Sequence, residues 1–530
     1  MQLSSYKWHL VWLVVLLVYC LGLFTPLLEV DEAEYACISR EMLQTHQFTI
    51  IQKHGLNYLD KPPLLFWLSA LSFYLFGLSE FAFKLPSVLL TFLSFYAVFR
   101  IGRILFNYET GKIAALLYAS SLAVFLMNQD VRTDAILCSG ICLAVWQILE
   151  FHQSGSWLNL LGSTLGISIA MLAKGPIGLM IPVIVLSTQC LATRSFGKLI
   201  SLKLIAGLAL LSLALLPMCI GLYQQYGIHG LQFYFWEQSF GRITGQNQWK
   251  NETDPFFFFH TFLWAFLPHS ILFLSFLFSQ FKNRFKSLQS SIIPIGAGFI
   301  IPLVVLSFSH YKLPHYINVI LPFSSLLTAH YLQKNLLLPR LLIPFQFILL
   351  LAILVLTLFI TLYLFPVYQP EFRILPALFL ILIAIPFFRY STLIESIVLP
   401  TGLIISISIG LLHLNFFPAI SEYDGGKQMG LALKNYPYPV FTRNVTYYNA
   451  EFYSNKNILS LKTNELLLQK GRFKVLVNDS SLAQLIKYGS KPIQIQKFSH
   501  FSTSLLNWKF LNPSTRQEVL ENRYLIEIQH

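Results

Sequence analysis

The amino-acid sequence predicts a polytopic α-helical membrane protein with about 13 transmembrane helices and a C-terminal soluble α/β domain. Hydrophobic residues make up 55% of the 530 residues and charged residues only 12%, whereas a soluble globular chain has roughly 25% charged residues. The mean hydropathy is +0.60. This composition excludes soluble multidomain and disordered proteins. The six cysteines show no paired spacing, so neither a disulfide framework nor a zinc site is indicated.

Apolar stretches long enough to cross about 30 Å of hydrocarbon recur along the first 415 residues. The first resembles a signal peptide, but no small-residue cleavage site follows it, so we interpret it as a span of a transmembrane domain at 1–417. The predicted spans lie near residues 9–28, 83–105, 111–128, 135–151, 158–173, 176–193, 204–222, 256–279, 292–308, 316–332, 342–366, 374–388 and 397–415.

The distribution of charge predicts the orientation of these spans. With a cytoplasmic N-terminus, the inner segments hold 13 basic and 3 acidic residues, and the outer loops hold 10 basic and 13 acidic residues. Basic residues are enriched in cytoplasmic loops, so this asymmetry indicates a cytoplasmic N-terminus. The distribution of the basic residues that give the net charge of +13 is therefore explained by membrane topology, and no nucleic-acid partner is expected.

The outer loop after the first span, residues 29–82, has a cluster of carboxylates directly at the membrane exit. The apolar stretch 64–78 is too short for a span, so we expect it to lie along the membrane interface. Lys61 is followed by two prolines, which restrict the backbone beside it. Four carboxylates lie within six residues at the membrane exit, namely Glu29, Asp31, Glu32 and Glu34.

Sparse ionisable residues in the other outer loops lie on the same side of the membrane. Such residues are costly beside hydrocarbon and are usually functional. We expect carboxylates and cations to meet at one outer surface, which suits a substrate with an apolar tail and an anionic head. The residues are Asp130, Arg132 and Asp134, then Lys174, then Arg242 and Lys250, and finally His310, Lys312 and His315.

Polar residues become more frequent from residue 418 onwards, which predicts a soluble α/β domain at 418–530, on the outer side. It contains 14 basic and 8 acidic residues, so we expect it to help present an anionic acceptor. Alternating stretches predict strands at 438–448, 473–477, 493–498 and 523–528, and helices are predicted at 462–470 and around 481–488.

Several short motifs make the chain resemble a known family. They are Asp31-Glu32-Ala33-Glu34-Tyr35, Tyr58-Leu59-Asp60-Lys61-Pro62-Pro63-Leu64, Lys84-Leu85-Pro86-Ser87, Arg132-Thr133-Asp134, Ala173-Lys174-Gly175-Pro176, Arg242 and Lys312-Leu313-Pro314-His315-Tyr316. With them the chain resembles the polyprenyl-phosphate-dependent membrane glycosyltransferases of the GT-C type. This family includes the lipid A aminoarabinose transferases and, more distantly, the protein O-mannosyltransferases.

The resemblance implies an inverting glycosyltransferase of the bacterial inner membrane whose active site and C-terminal domain are periplasmic. It would move an aminoarabinose-like sugar, a hexose or another aminosugar from an undecaprenyl-phosphate donor to lipid A or another outer-face acceptor. Asp31 and Asp134 match catalytic carboxylates, and Lys61 and Arg242 match the cations that hold the donor phosphate. Glu32, Tyr35, Tyr58, Lys174 and Tyr316 match positions of the substrate pocket.

The chemistry of the reaction adds two expectations. A phosphate leaving group is already a stable anion, so the transfer requires no general acid and no cofactor, although Asp60 and Glu237 could hold a divalent cation. A hydroxyl acceptor needs a base, and Asp31 could supply it. For a phosphate acceptor, Asp31 is instead expected to orient Lys61 or Arg242 and to stabilise the positive sugar carbon.

Two other classes of protein remain as alternatives to a glycosyltransferase. A secondary transporter or lipid flippase would show repeat symmetry and polar groups near the bilayer midplane. In this sequence the charge is concentrated at one membrane face and no internal repeat is apparent. A scaffold or receptor would leave the carboxylates of the first loop unexplained. Within the enzyme class, a protein O-mannosyltransferase is the alternative.

Overall fold

The computed structural model describes residues 2–198, 201–245, 254–282, 289–334, 337–366 and 392–529. Within these ranges six helices are long and apolar enough to cross a membrane, and a pair bent by 51° forms a seventh candidate, Tyr108–Ala119 with Leu122–Gln129. The chain is therefore a multi-pass helical membrane protein, as the sequence predicts. The six helices are Glu80–Leu105, Thr133–Ser154, Trp157–Lys174, Leu202–Tyr226, Leu342–Leu364 and Leu393–Ser421.

Shorter helices complete the bundle. Every predicted span overlaps a helix except the one near 374–388, which lies outside the described residues. Because several of these helices are shorter than a full span, the total of 13 spans stays a prediction. The shorter helices are Tyr6–Gly22, Ile177–Ala192, Phe257–Ala265, Ser270–Lys282, Ile292–Ser307, the 3₁₀ helix Pro314–Ile320, and Leu321–Lys334.

The first outer loop folds into a helix, a hairpin and a second helix. The first helix, Asp31–Thr45, is called here the first-loop helix. A short antiparallel hairpin follows, with β1 at Gln52–Lys53 and β2 at Leu56–Asn57. The second helix, Leu64–Phe76, has 13 residues and is therefore about 20 Å long, too short to cross the hydrocarbon.

The helix Leu64–Phe76 is apolar on both of its sides. Phe66 is fully buried against the protein, whereas Leu71 and Tyr74 are 55% and 74% exposed. An apolar helix with one face on the protein and one face open fits the predicted position along the membrane interface.

The C-terminal domain contains a five-stranded mixed sheet. The strands are β3 Val440–Arg443, β4 Leu459–Ser460, β5 Arg472–Asn478, β6 Gln494–His500 and β7 Glu521–Gln529. Their order in the sheet is β4-β3-β5-β7-β6, where β3 pairs in parallel with β4 and β5, and β7 pairs antiparallel with β5 and β6. The helices are Gly425–Leu433, Tyr448–Ser454, Thr463–Leu467, Asp479–Lys487 and Trp508–Leu511.

The four strands and two helices predicted for this domain are confirmed, with one difference. The strand predicted at 438–448 ends at Arg443, because Asn444 takes a positive φ of 54° and turns the chain. A helix then begins at Tyr448 and ends at Ser454, and it packs against the first-loop helix. We call this segment the docking helix.

One fully buried ion pair joins the first-loop helix to the bundle. The Lys84 Nζ atom lies 3.3 Å from Glu32 Oε1, and both side chains are 0% exposed. Lys84 also donates to the Thr25 hydroxyl at 3.1 Å and to the Gln129 carbonyl at 2.7 Å. Glu32 accepts from the backbone N–H of Val131 at 3.1 Å. The pair therefore holds together the end of the first span, the start of helix Glu80–Leu105 and the second outer loop.

Replacing Lys84 by methionine should lower the Tm strongly, because the Glu32 carboxyl would stay buried without its cation. Breaking a buried pair by removing one partner costs about 3–5 kcal/mol. Thermal unfolding of the purified protein in detergent measures the effect.

The matched control is Glu109→Gln, which breaks the surface pair with Lys112. The Glu109 side chain is 53% exposed, so this change should alter stability by about 0.5 kcal/mol or less. Equal losses of Tm in the two variants would contradict a special role for the buried pair.

Candidate active site

A cleft of about 230 Å³ lies at the outer-loop end of the helix bundle. One end of the cleft is lined by ionisable and polar side chains from the first, second and later outer loops. The other end is apolar and is lined by helix Ile177–Ala192, through Ile181 and Ile184, and by helix Ile292–Ser307, through Ile301 and Val305. The cleft thus has a polar end and an apolar end.

Asp31 is the first residue of the first-loop helix and faces this cleft. Its carboxylate forms an ion pair with the Arg132 guanidinium, and Arg132 Nε lies 2.9 Å from Asp130 Oδ2. Burial lowers the pKa of Arg132, but Asp130 and Asp31 outweigh burial and raise this pKa above its ordinary value. Arg132 therefore stays charged and connects the first and second outer loops.

Lys61 lies on another wall of the cleft and forms an ion pair with its neighbour Asp60. The Gln238 side chain donates to the backbone carbonyl of Asp60 at 2.6 Å, so the long loop after helix Leu202–Tyr226 supports this wall. The Lys61 side chain is 20% exposed, and its cation remains accessible from the cleft.

Asp134 and Lys174 form the most buried ion pair of the cleft. Lys174 Nζ lies 2.6 Å from Asp134 Oδ1, and the Asp134 side chain is 3% exposed. Lys174 Nζ also lies 4.3 Å from the centre of the Tyr316 ring, a cation–π contact. His315 Nε2 lies 3.8 Å from Asp134 Oδ2. Lys174 is the last residue of its helix, and Gly175 turns the chain with φ = 87°.

Each described carboxylate that lines the cleft is thus paired with a cation, and Arg132 also binds Asp130. Among its described lining side chains, three carboxylates pair with three cations. The pairs are Asp31 with Arg132, Asp60 with Lys61, and Asp134 with Lys174.

Most of the residues that the sequence predicts for the site meet at this cleft. Asp31, Tyr35, Lys61, Asp134, Lys174 and Tyr316 all line it, together with Asp60. Their catalytic and binding roles stay predictions. Arg242 begins the short helix Arg242–Thr244, but its side chain lies outside the described residues.

Two predicted pocket residues do not line the cleft. Glu32 follows Asp31 in a helix, where successive residues are about 100° apart, so it points into the protein towards Lys84. Burial raises the pKa of the Glu32 carboxyl, and Lys84 opposes this rise. Tyr58 lies behind the wall, where its ring packs edge-on against Phe66 at 6.1 Å.

The sequence predicts that Asp31 orients Lys61 or Arg242. Among the described side chains the cationic partner of Asp31 is Arg132, and Lys61 pairs with Asp60. The Arg242 side chain lies outside the described residues, so its contact with Asp31 stays a prediction. The sequence motif contains Arg132, yet nothing in it indicates a contact with a residue 101 positions earlier. His315 and Gln238 are further site residues to which the sequence assigned no role.

The pair of carboxylates proposed for a divalent cation does not meet at the cleft. Asp60 lines it and pairs with Lys61, whereas Glu237 does not line it and lies 3.9 Å from His229. No group of three or more His, Cys, Asp or Glu side chains suited to a metal occurs among the described residues. The described donor set at the cleft therefore does not fit a metal ion.

Comparison with known proteins gives both a family signature and a fold. Residues 60–220 match the family model described as dolichyl-phosphate-mannose-protein mannosyltransferase. The crystal structure of ArnT from Cupriavidus metallidurans bound to undecaprenyl phosphate has a TM-score of 0.75 and 18% identity, over 98% of this chain and 97% of that chain. The archaeal oligosaccharyltransferase AglB from Archaeoglobus fulgidus has a TM-score of 0.52 and 13% identity, over 90% of this chain and 70% of that chain.

Proteins with similar sequences include transferases that are named for an undecaprenyl-phosphate donor. The undecaprenyl phosphate-alpha-4-amino-4-deoxy-L-arabinose arabinosyl transferase 1 of Proteus mirabilis is 26% identical over 62% of this chain and 60% of its own length. The corresponding transferase of Pseudomonas aeruginosa is 30% identical over 59% of this chain and 56% of its own length. The chain thus spans less than two thirds of the length of these curated relatives.

The fold and the cleft define the class of this protein, a multi-pass membrane protein with the ArnT-like fold over nearly its whole length. The predicted resemblance to the polyprenyl-phosphate glycosyltransferases is confirmed, with the mannosyltransferase family signature in residues 60–220.

His315 should make the stability of the protein pH-dependent. Burial lowers the pKa of His315 to about 3, although Asp134 opposes the shift. In the unfolded chain a histidine pKa is about 6.5. The neutral side chain therefore contributes stability above pH ~6.5, and this contribution is lost as the pH falls towards 3, because the unfolded chain binds the proton first.

The Tm of the unmodified protein should consequently fall more steeply between pH 7 and 5 than the Tm of His315→Gln. His229→Gln is the control, because the His229 side chain is 59% exposed and should not change the slope. Parallel slopes for the unmodified protein and His315→Gln would refute this assignment.

Proposed function

We propose that this protein is an inverting glycosyltransferase that moves an aminoarabinose-like sugar from undecaprenyl phosphate to a phosphate of lipid A. The observation on which this rests is the cleft, which is ionic at one end and apolar at the other. A polyprenyl-phosphate sugar has the same division, since its sugar phosphate is polar and its chain is hydrocarbon. The name of the Proteus relative contains this donor, and the ArnT structure is described as bound to undecaprenyl phosphate.

In this proposal the cleft opens to the periplasm and the N-terminus is cytoplasmic. The positive-inside distribution of charge supports that orientation. The donor chain would lie between helices Ile177–Ala192 and Ile292–Ser307, whose apolar side chains form one end of the cleft. The sugar phosphate would lie among the ionised side chains at the other end.

Lys61, with Arg242, would hold the donor phosphate. As the bond between the sugar and the phosphate breaks, negative charge builds up on the departing phosphate. A fixed cation binds that charge more tightly in the transition state than in the ground state, and this lowers the barrier. The departing phosphate is a stable anion, so the reaction requires neither a general acid nor a cofactor.

Asp31 would act by its charge and position. Because it is paired with Arg132, it faces the cleft as an oriented carboxylate that can stabilise the positive charge on the sugar carbon. Arg132 would in turn offset the repulsion between Asp31 and an anionic acceptor. This arrangement suits a phosphate acceptor better than a hydroxyl acceptor, since a phosphate oxygen needs no base.

Two alternative functions are less well supported. A transporter or flippase would need polar groups near the bilayer midplane, whereas the described ion pairs of the cleft belong to loops and helix ends on one side of the bundle. Protein O-mannosylation would use a hydroxyl acceptor, and the family model over residues 60–220 keeps this activity as the second candidate.

Mass spectrometry of lipid A from cells with and without this protein tests the proposal. Lipid A should gain the mass of one aminopentose only when the protein is present, and Asp31→Asn should abolish this gain. A hexose on lipid A would change the proposed sugar. Unchanged lipid A together with a mannosylated protein would replace the proposal with the second candidate.

Lys61→Ala should weaken use of the donor and abolish most transfer while the protein remains inserted in the membrane. The reason is the loss of the cation that faces the departing phosphate. The measurement is the initial rate at subsaturating donor with purified components. Lys487→Ala, an exposed lysine of the C-terminal domain, is the control and should keep the normal rate. Normal turnover in Lys61→Ala would remove the assignment.

The dependence of the rate on pH should distinguish the two kinds of acceptor. With a lipid A phosphate acceptor, the rate of the unmodified protein should show no acidic limb that belongs to Asp31, whereas a hydroxyl acceptor would need that carboxylate as a base. The acceptor phosphate itself titrates near pH ~6. An acceptor analogue with a different phosphate pKa therefore shows whether an acidic limb of the rate comes from the acceptor or from Asp31.

A limb that moves with the acceptor analogue belongs to the acceptor. A single-proton limb that stays in place, and so belongs to the enzyme, would contradict the phosphate acceptor. In both cases Asp31→Asn should be nearly inactive, because the charge beside the sugar carbon is lost.

A further inference from the structure

We propose that Glu451 of the C-terminal domain is a positioning residue for the transfer reaction, because it fixes, through Arg40 and His54, the first-loop helix that begins with Asp31. This inference rests on the proposed function. It also gives the C-terminal domain a part in arranging the catalytic carboxylate, in addition to any part in presenting the acceptor.

Arg40 and Glu451 form a buried ion pair between the first-loop helix and the docking helix. Arg40 Nη2 lies 2.7 Å from Glu451 Oε1, and the two side chains are 3% and 1% exposed. Arg40 Nη1 donates to the backbone carbonyl of Glu451 at 2.8 Å. A buried pair of this kind is rigid, since releasing either member would leave a charge without a partner.

The same guanidinium also binds the segment that follows the docking helix. Arg40 Nη2 lies 2.8 Å from Asn457 Oδ1 and 3.3 Å from the backbone carbonyl of Lys456. The end of a helix has exposed carbonyl groups and a partial negative charge, which a cation stabilises. One arginine therefore binds the docking helix by its side chain and by the backbone at its end.

His54 connects the second oxygen of the same carboxylate to the hairpin. His54 Nε2 lies 2.9 Å from Glu451 Oε2, and an ionised carboxylate only accepts, so this nitrogen carries the hydrogen. The backbone N–H groups of His54 and Gly55 donate to the Glu41 carboxylate at 2.7 and 3.0 Å. The hairpin turn is thus bound both to the first-loop helix and to the docking helix.

The docking helix also holds the residues that lead into Asp31. The backbone N–H of Asn449 donates to Glu29 Oε1 at 3.1 Å, and its side chain donates to the carbonyl of Leu27 at 3.4 Å. The Tyr453 hydroxyl accepts from the N–H of Leu27 at 3.3 Å. Asp31 is therefore flanked on both sides by segments that the docking helix binds.

The geometry of a helix explains why a contact at Arg40 matters at Asp31. The two residues are nine positions apart, which is about 13.5 Å along a helix. A tilt of about 4° at the Arg40 end moves the other end by about 1 Å. A displacement of that size at a reacting group can cost about 100-fold in rate. Glu451 thus acts on the reaction through the direction of the first-loop helix.

The test compares Glu451→Gln and Arg40→Gln with the full-length protein. Glu451→Gln keeps the size of the side chain and removes its charge. We expect kcat to fall about 10- to 100-fold, with little change in the KM for the donor, because Lys61 is untouched. The loss of kcat in the double variant should be smaller than the product of the two single losses, since both single variants remove the Arg40–Glu451 ion pair.

Hydrogen exchange measured on the same proteins gives a readout that does not need activity. Amides of the first-loop helix should exchange faster in Glu451→Gln, whereas those of helices Thr133–Ser154 and Gly425–Leu433 should not change. Arg472→Gln is the matched control, because it breaks an ion pair with Glu527 between strands of the same domain. It should alter neither kcat nor exchange in the first-loop helix.

Arg40→Lys covers the case in which Glu451→Gln unfolds the domain. Lysine keeps the charge opposite Glu451 but cannot make all four guanidinium contacts, so kcat should take an intermediate value. An unchanged kcat in Arg40→Lys and Arg40→Gln would overturn the proposal, as would unchanged exchange in the first-loop helix of Glu451→Gln. If the unmodified protein transfers no sugar, the proposed function fails, and the exchange data still decide whether Glu451 holds the helix.

Discussion

The need to pair every charge at the edge of the hydrocarbon is the constraint on which the rest of this structure depends. An ionised side chain buried there without a partner would be far too costly. Lys174 meets it by pairing with Asp134, 40 residues earlier, and Arg40 by pairing with Glu451, 411 residues later. The same ion pairs that satisfy the electrostatics therefore bring distant segments together, and the Lys174–Asp134 pair lines the cleft.

The first-loop helix shows how one short element serves both stability and function. Its first two residues point in different directions, since neighbours in a helix are about 100° apart. Asp31 faces the cleft and pairs with Arg132, and Glu32 faces the interior and pairs with Lys84. Asp31 is available for chemistry because its neighbour Glu32 holds the helix against the bundle.

Hydropathy and charge predict the architecture well, because spans and loop charges are local properties of the sequence. The membrane helices, the short apolar helix Leu64–Phe76 and the sheet of the C-terminal domain all follow from such patterns. The direction of each side chain does not follow from them, so Glu32 was placed in the pocket. The partner of Asp31 could not be predicted either, since Arg132 reaches it only through the packing of two loops. Glu451 lies in helix Tyr448–Ser454, for which the patterns of the sequence make no prediction beyond residue 448.

The charge balance of the cleft decides where an anionic headgroup can bind. Each described cation of the cleft has a carboxylate partner, and Arg132 has two, Asp31 and Asp130, so a phosphate that enters must share a cation with a carboxylate. The Asp134 side chain is 3% exposed, so removing Lys174 from it would strand a buried charge. The side chains of Asp60 and Asp31 are 37% and 40% exposed, so water can solvate them while a phosphate shares their cations. A phosphate can therefore approach the cations of the two exposed pairs at the lowest cost in free energy, while the buried pair keeps the shape of the wall. Under the proposed function, the donor and acceptor phosphates would meet between Lys61 and Arg132, with Asp31 directly beside them.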